Sequence, residues 1–347
     1  MTKVRVGLIG YGFAGATFHA PLIRAVDGLA LTRIASSNAA KVRQDFPHAA
    51  IDNSAQALIN AADVDLVVIA TPNASHHALA RQALLAGKHV VLEKPFTVTV
   101  AEAQELVDLA QQTNRLLSVF HNRRWDNYFL TARRCIESGM LGDINTYQAH
   151  FDRYRPQRIK RWREDDLPGS GTLYDLGSHL IDQALVLFGT PQTIFADVCA
   201  QRTGEGGPDY FHLVLGYGHM RAILHSGSIV SDPGPRIQVH GSAGSYAKYG
   251  LDPQEDALRT GRIPGDSSWG RDLEAHDGRL TVERNGVLVT ETLNTMPGDY
   301  LKFYEGMVDA IVQGKPVPVS AADGLNVIKV IDYAMRSSRE QRVIAFE

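Results

Sequence analysis

Cysteine is nearly absent from this 347-residue chain, which holds just Cys135 and Cys199. Two thiols cannot build a disulfide framework or a multi-cysteine zinc site, and they suit a reducing compartment. An excess of one charge is also missing. Lys plus Arg number 35 and Asp plus Glu 38, for a formal charge of −3, which excludes a domain built around a strongly positive nucleic-acid footprint. No apolar run approaches the roughly 20 residues that a membrane-spanning helix needs. The amino-terminal run Val4–Ile9 is too short for a signal-peptide core and leads into glycines instead of a cleavage site, so a cytoplasmic protein is expected. Repeats and low-complexity tracts are lacking. What remains is ordinary for a chain that buries a core: 44% hydrophobic and 21% charged residues, in a length that suggests two domains at ~150 residues each.

The first third alternates short apolar runs with helical patterns. Val4–Ile9, Leu29–Ala35, 66–70, His89–Leu92 and 116–120 are almost continuously apolar, as strands covered on both faces by helices must be. Helical stretches over 75–86, closed by Gly87, and over 101–112 lie between them. This is the arithmetic of βαβ units and predicts a doubly wound parallel sheet. After about Phe120 the pattern changes. A helix over 126–138 precedes extended segments at 144–155, 193–202, 211–217, 221–230 and 236–240, several joined by short turns, which predicts an antiparallel sheet. A helix is expected over 173–188, and two more close the chain at 300–312 and 321–339. Residues 250–298, rich in Gly, Pro, Asp and Arg, read as irregular. The expected fold is thus α/β, with a nucleotide-binding domain over 1–121 and a second, α+β domain over 122–347 built on a large, mostly antiparallel, open-faced sheet.

Gly10-Tyr11-Gly12-Phe13-Ala14-Gly15 is a G-x-G-x-x-G string, which as a bare string is also met in ordinary glycine turns. Its place, directly after the first strand and opening a helix, gives it meaning. There Gly10 permits the tight turn, Gly12 lets the backbone approach a pyrophosphate, and Gly15 lets the helix pack on the strand. The helix's free N–H groups then hold the anion. This predicts a Rossmann-type site with Gly10, Tyr11, Gly12, Phe13 and Gly15 binding the cofactor. An NAD site usually carries Asp or Glu about 20 residues farther on, to bond the ribose 2′-OH. Here the second strand ends Ile34-Ala35-Ser36-Ser37-Asn38, and the next acid is Asp45. A carboxylate would repel a 2′-phosphate, whereas Ser36, Ser37 and Asn38 can donate to one, and Lys41 follows one turn on. NADP is therefore expected in preference to NAD, with helix capping as the competing role for Ser37 and Asn38. Thr71, Pro72 and Asn73 close the strand over 66–70 at the same edge, with His76 behind them. Asn73-Ala74-Ser75 matches a glycosylation sequon, discounted for a cytoplasmic chain.

Glu93-Lys94-Pro95 terminates the fifth strand. Lysine is costly to bury, so its position after an apolar strand points to a task, with a snorkelling surface lysine as the alternative. In Gly169-Ser-Gly-Thr-Leu-Tyr-Asp175-Leu-Gly-Ser-His179, a helix opening near Thr172 would put Asp175 and His179 on one face. The alternative is an aspartate favoured by the helix dipole beside a hydrogen-bonded core histidine. A metal pair would need a third ligand, and none is evident, so no metal is expected. The segment from Phe151 to Glu164 interleaves Arg153, Arg155, Arg158, Lys160, Arg161 and Arg163 with Phe151, Tyr154 and Trp162. Such interleaving can mark single-stranded nucleic-acid binding, but one segment on a net-negative chain reads better as a loop over an active site.

The fingerprint, Glu93-Lys94-Pro95 and Asp175-x-x-x-His179 together resemble the Gfo/Idh/MocA oxidoreductase family, in its order and spacing and over essentially the whole chain. The likeness extends through His121-Asn-Arg-Arg-Trp-Asp126, Arg153-Tyr-Arg-Pro156, Arg161-Trp-Arg-Glu164, Thr172–His179 and the run from Lys248 to Asp256. It implies Lys94, Asp175 and His179 as the catalytic set. It also implies Glu93, Lys94, Asn122, Trp162 and Arg163 near the cofactor, and a homo-oligomer built through the open sheet. These features are most similar to the branch of NADP-dependent inositol dehydrogenases, which implies interconversion of a cyclic polyol, scyllo-inositol, and its ketone. A dehydrogenase of another inositol or an aldose is the nearer alternative. A non-catalytic NADP-binding regulator is the more distant one, and an intact Lys94, Asp175 and His179 argue against it. Neither a nucleic-acid nor a membrane partner is expected.

Overall fold

The computed structural model describes residues 3–159 and 162–347, and Lys160 and Arg161 lie outside them. The chain forms two compact units. Met1–Asn122, Gln254–Trp269 and Asp299–Ile328 make the first, and Arg123–Pro253, Gly270–Gly298 and Lys329–Glu347 make the second. Two later segments therefore join the amino-terminal unit, where the pattern reading ran one block from 122 to 347. The physical reason is cover: a parallel sheet needs helices on its faces, and helix Leu301–Gln313 packs against Ala20–Ala25 to supply part of that layer.

The first unit is a six-stranded parallel sheet. Its strands are β1 (Val4–Ile9), β2 (Leu29–Ala35), β3 (Ala50–Asp52), β4 (Leu66–Ile69), β5 (His89–Leu92) and β6 (Leu117–Val119), in the order β3-β2-β1-β4-β5-β6. All four residues of β4 are buried, as are three of the four in β5, which accounts for their unbroken hydrophobicity. The strand order reverses direction between β1 and β4. Turns leaving their carboxyl ends diverge there and open a crevice. Helix Val100–Gln112 begins with a full capping box, in which the Thr99 hydroxyl accepts from Glu102 N–H and the Glu102 carboxylate from Thr99 N–H. The three-residue β3 was not expected, being too short to show a period.

Among the described residues the second unit holds nine strands: β7 (Ile144–His150), β8 (Thr193–Cys199), β9 (Tyr210–Tyr217), β10 (Met220–Gly227), β11 (Ile237–Gly241), β12 (Gly244–Lys248), β13 (Gly278–Arg284), β14 (Val287–Leu293) and β15 (Ile344–Ala345). Their order is β14-β13-β12-β11-β7-β10-β9-β8-β15, antiparallel except for the parallel pair β7–β10. Burial alternates along β9 and β10. Leu213, Leu215, Ala222 and Leu224 face the core, while Phe195, Val214 and Ile223, in register across β8, β9 and β10, share the other face. Asp197, His212, His225 and His150 form a second cross-strand row on that face.

Residues 250–298 correct the expectation of irregular structure. They contain helix Gln254–Arg259 and the hairpin β13–β14, turned through Asn285-Gly286 with both residues at positive φ. Lys248, fully buried, ties this stretch down. Its ammonium donates to Asp272 Oδ2 at 2.7 Å and to the His276 carbonyl at 2.7 Å. Asp272 Oδ2 also accepts from Asn127 Nδ2, and Asp252 accepts from Asn127 N–H at the start of helix Asn127–Glu137. Removing one member of a buried ion pair strands the other. Lys248→Met is therefore expected to cost the second unit about 3 kcal/mol in urea unfolding, and a loss under about 0.5 kcal/mol would contradict this account.

Candidate active site

 The crevice at the β1/β4 switch point is a cavity of about 630 Å³. A separate cavity of about 470 Å³ lies at the opposite edge of the sheet, between Lys3, Asp65, Lys88 and Arg115. The crevice itself is lined by the turn after β1 (Gly10, Tyr11, Gly12, Phe13), the end of β2 (Ser36, Ser37, Asn38, Lys41) and Thr71-Pro72 after β4. Gly10 has φ +94°, and a Cβ there would meet the Ala70 carbonyl oxygen at 2.6 Å, so no other residue fits that corner. A Cβ on Gly15 would collide with the Gly10 carbonyl oxygen, which is the close packing the third glycine allows. Above Gly12 there is open space, with no atom within 4 Å of the Cβ position. A dinucleotide pyrophosphate fits this arrangement: an open glycine turn leading into a helix N-terminus.

Along β2, Asn38 caps helix Ala39–Asp45 by accepting from Lys41 N–H at 3.1 Å, and Ser36 Oγ accepts from Asn38 N–H at 3.0 Å. Asp45, the first acid after the strand, accepts from the Tyr11 hydroxyl at 2.9 Å. Burial, then that hydrogen bond, pushes the Tyr11 phenol well above its ordinary range. Asn53, Ser54 and Ala55 also line the crevice, and the sequence reading missed them because it missed β3. Ser54, the N-cap of helix Ala55–Ile59, was the one available signal.

Glu93 and Lys94 follow β5 at the same edge of the sheet. Glu93 is buried, and burial alone would raise its carboxyl. The hydrogen bond from His19, together with the charges of His19 and Lys94, outweighs burial and holds it below the ordinary value. His19 Nε2 lies 3.0 Å from Glu93 Oε1, and Lys94 N–H donates to Glu93 Oε2 at 2.8 Å. His19 Nδ1 lies 2.6 Å from the Tyr304 hydroxyl, which burial keeps protonated. The peptide from Lys94 to Pro95 is cis. His76, also buried, places its two ring nitrogens 2.9 Å from the Pro95 carbonyl and 3.0 Å from the Thr71 carbonyl, bracing one turn against the next. Asn73 and Asn122 are buried beside these turns' strands and, like His76, do not line the crevice. The His19–Tyr304 link was illegible in the sequence, since its members are 285 residues apart.

In the second unit, Asp175 and His179 share one helical run. It begins with a wide turn over Leu173–Gly177, of the i→i+5 kind that often marks functional sites, and continues as helix Ser178–Phe188. His179 is buried, and Asp175 is partly open, with Arg163 Nε 3.4 Å from its Oδ1. One turn beyond His179, Asp182 takes a two-pronged bond from Arg124, at 2.8 and 2.6 Å, and Gln183 donates to the Arg123 carbonyl. These bonds fix the helix that carries His179. Arg163 also lies over the Trp162 ring, 4.5 Å from its centroid. Arg158 pairs with Asp209, and Arg202 pairs with both Glu164 and Asp209, so part of the basic segment is matched by carboxylates. The structure thus gathers Asp175, His179, Trp162 and Arg163 in the second unit, and the glycine turn, Ser36, Ser37, Lys41, Thr71, Pro72, Glu93 and Lys94 in the first.

A Rossmann sheet with a glycine turn open to a pyrophosphate, joined in one chain to an α/β unit with an Asp–His helix, defines a dinucleotide-binding oxidoreductase. Family profiles agree with that class: one described as "Oxidoreductase family, NAD-binding Rossmann fold" matches residues 4–121, and one described as "Oxidoreductase family, C-terminal alpha/beta domain" matches residues 133–346. The chain belongs to the Gfo/Idh/MocA oxidoreductase family. Its relatives include the scyllo-inositol 2-dehydrogenase (NADP(+)) IolW of Bacillus subtilis, 46% identical over 344 residues, which cover 99% of this chain and 96% of the relative. The oxidoreductase YdgJ of Escherichia coli is 46% identical over 342 residues, covering 99% of this chain and 98% of that one. Among solved structures, the oxidoreductase yvaA of Bacillus subtilis matches with a TM-score of 0.98 at 46% identity, covering 100% of this chain and 99% of the other.

Several buried and half-buried groups of the protein have their pKa shifted in the same direction. Burial holds His76, His150 and His212 below the ordinary histidine value, and Glu93 is held below the ordinary carboxylate value. A lowered folded-state pKa means that the unfolded chain binds more protons, so stability is full above the unfolded value and drains away as pH falls. The melting temperature is therefore expected to drop steadily from about pH 7 to about pH 5, starting near the ordinary histidine pKa of ~6.5. A melting temperature that is flat or rising over that interval would contradict this.

Proposed function

We propose that the protein is an NADP(H)-dependent dehydrogenase that interconverts a cyclic polyol and its ketone, with scyllo-inositol and 2-keto-myo-inositol as the pair. The observation that carries the reading is the helix on which a buried His179 follows a partly open Asp175, in a chain that also ends β5 with Lys94. The name of the IolW relative supports the substrate and the cofactor. The end of β2 supports the cofactor independently. Ser36, Ser37, Asn38 and Lys41 line the crevice, and Asp45 is already engaged by Tyr11.

The chemistry needs a proton taken from a hydroxyl and a hydride taken from its carbon. The dinucleotide, when bound, supplies the hydride acceptor. Its adenosine end would rest on the residues after β2, its pyrophosphate on Gly12 and Phe13, with Thr71 toward its nicotinamide end. In this reading, the His179 imidazole takes the hydroxyl proton, a task suited to a group with an ordinary pKa near ~6.5. Asp175 orients the substrate by accepting from a neighbouring hydroxyl, with the Arg163 guanidinium beside it at 3.4 Å. The Lys94 ammonium donates to the reacting oxygen and offsets the negative charge that develops as the proton leaves. In reduction the same groups return the proton. Near-neutral net charge suits an uncharged polyol. We further propose that a second copy of the chain covers the sheet face bearing Phe195, Val214 and Ile223, and gel filtration showing a monomer would overturn that assembly.

His179→Asn and Lys94→Met are each expected to lower turnover of scyllo-inositol at least about 100-fold, the usual scale for a lost general base, while the dissociation constant for NADP stays within about twofold. Near-normal turnover in both would refute the assignment. Wild-type protein is expected to bind NADP more tightly than NAD, and the reverse order would overturn the cofactor choice. If the wild type turns over no polyol or sugar yet binds NADP, the regulator reading replaces the enzyme.

A further inference from the structure

We infer that Arg259 is a cofactor-binding residue, a cation delivered to the pyrophosphate turn from a distant part of the sequence. The inference rests on the dinucleotide-binding reading of the first unit and does not depend on which alcohol is oxidised. The fingerprint turn, Gly10-Tyr11-Gly12-Phe13-Ala14-Gly15, carries no cationic side chain. Among the described residues that line the crevice, Lys41 is the one cation. It stands on the β2 side, with its ammonium 5.6 Å from the Tyr11 ring centroid, where a ribose phosphate is expected. The two charges of a pyrophosphate would then meet backbone N–H groups alone.

The chain's path supplies what the turn lacks. After Pro253 it leaves the second unit for sixteen residues, Gln254–Trp269, and returns at Gly270. Within this excursion, helix Gln254–Arg259 packs on the helical turn Gly15–His19 that follows the fingerprint. Its placement is firm. Gln254 is fully buried, and its Oε1 accepts from Trp269 Nε1 at 2.9 Å and from Tyr300 N–H at 2.7 Å. Leu258, one turn on, is buried as well. Arg259 closes the helix with its guanidinium 5.3 Å from the Phe13 ring centroid. Phe13 is itself half exposed at the crevice, and Gly12 beside it has nothing overhead.

Lying over the Phe13 ring holds the guanidinium beside the glycine turn at low cost, since the arginine side chain is 51% exposed and stays hydrated. Its contact with Glu255 is loose, at 3.7 Å, and leaves donors for a phosphate oxygen. A guanidinium presents paired N–H donors in the geometry that phosphate accepts, so an arginine here is better suited than a lysine. Because pyrophosphate is common to NAD and NADP, Arg259 should strengthen both equally and take no part in choosing between them. That choice falls to Lys41 and its neighbours.

The test is calorimetric binding to the full-length protein, with NADP, NAD and adenosine 2′-monophosphate, which lacks the pyrophosphate. Arg259→Gln is expected to weaken NADP and NAD by the same factor, roughly tenfold, in line with a lost charged hydrogen bond, and to leave adenosine 2′-monophosphate within twofold. Arg259→Lys is expected to recover part of the loss, and the melting temperature of both variants should match wild type because the side chain is exposed. Unchanged NADP and NAD affinity in Arg259→Gln would overturn the inference, as would an equal loss for adenosine 2′-monophosphate. Absence of polyol turnover in the wild type would sink the dehydrogenase reading while leaving this comparison intact. Absence of any dinucleotide binding in the wild type would instead remove the reading on which the inference rests.

Discussion

A carboxylate buried at the end of a β-strand costs several kcal/mol unless it is bonded on every side, and Glu93 organises the functional edge of the first unit through the way that cost is met. One oxygen faces His19, on the helix that follows the glycine turn, and the other accepts from the backbone N–H of Lys94. His19 is held in turn by Tyr304, from a segment that reaches the unit from the far end of the chain. One buried charge therefore links the fingerprint helix, the Lys94 turn and the covering helix Leu301–Gln313. His76 adds a parallel brace between the Thr71 and Pro95 carbonyls. His76 and Glu93, expected near the cofactor, are buried and bonded to the turns that line or flank the crevice.

The second unit solves the same kind of problem with ion pairs. Arg124 and Asp182 lock the helix that carries His179, and Lys248 and Asp272 pin the stretch after β12. Placing a single histidine to within a fraction of an ångström requires the backbone beneath it to be over-determined, and Asp182 and Gln183 achieve that one turn away. The run from Lys248 to Asp256, which looked like a family signature without an evident task, divides into two roles. Lys248 and Asp252 hold the second unit together, while Gln254 starts the helix that carries Arg259 to the glycine turn.

Much of this was legible because the physics is local. Strands β1, β2 and β5 follow from continuous apolar runs, and the glycine turn from its position between a strand and a helix. The Asp175–His179 helix follows from four-residue spacing. What stayed hidden was either short or distant. Strand β3 spans three residues and shows no period, so Asn53, Ser54 and Ala55 were lost with it. The hairpin β13–β14 lies in a polar stretch where half-exposed positions blur the alternation, although Asn285-Gly286 was a usable turn signal. The contacts of His19 with Tyr304 and of Arg259 with Phe13 bridge hundreds of residues, and no spacing rule reaches that far.

In the function we propose, the chain removes hydrogen from a polyol carbon and passes it to a nicotinamide cofactor. The most direct measurement is mass spectrometry of the cofactor after incubation with NADP and scyllo-inositol deuterated at its ring carbons. The expected result is reduced cofactor carrying one deuterium from the substrate and a ketone product that has lost one. Deuterium released to solvent, or an unreduced cofactor beside unchanged polyol, would contradict it.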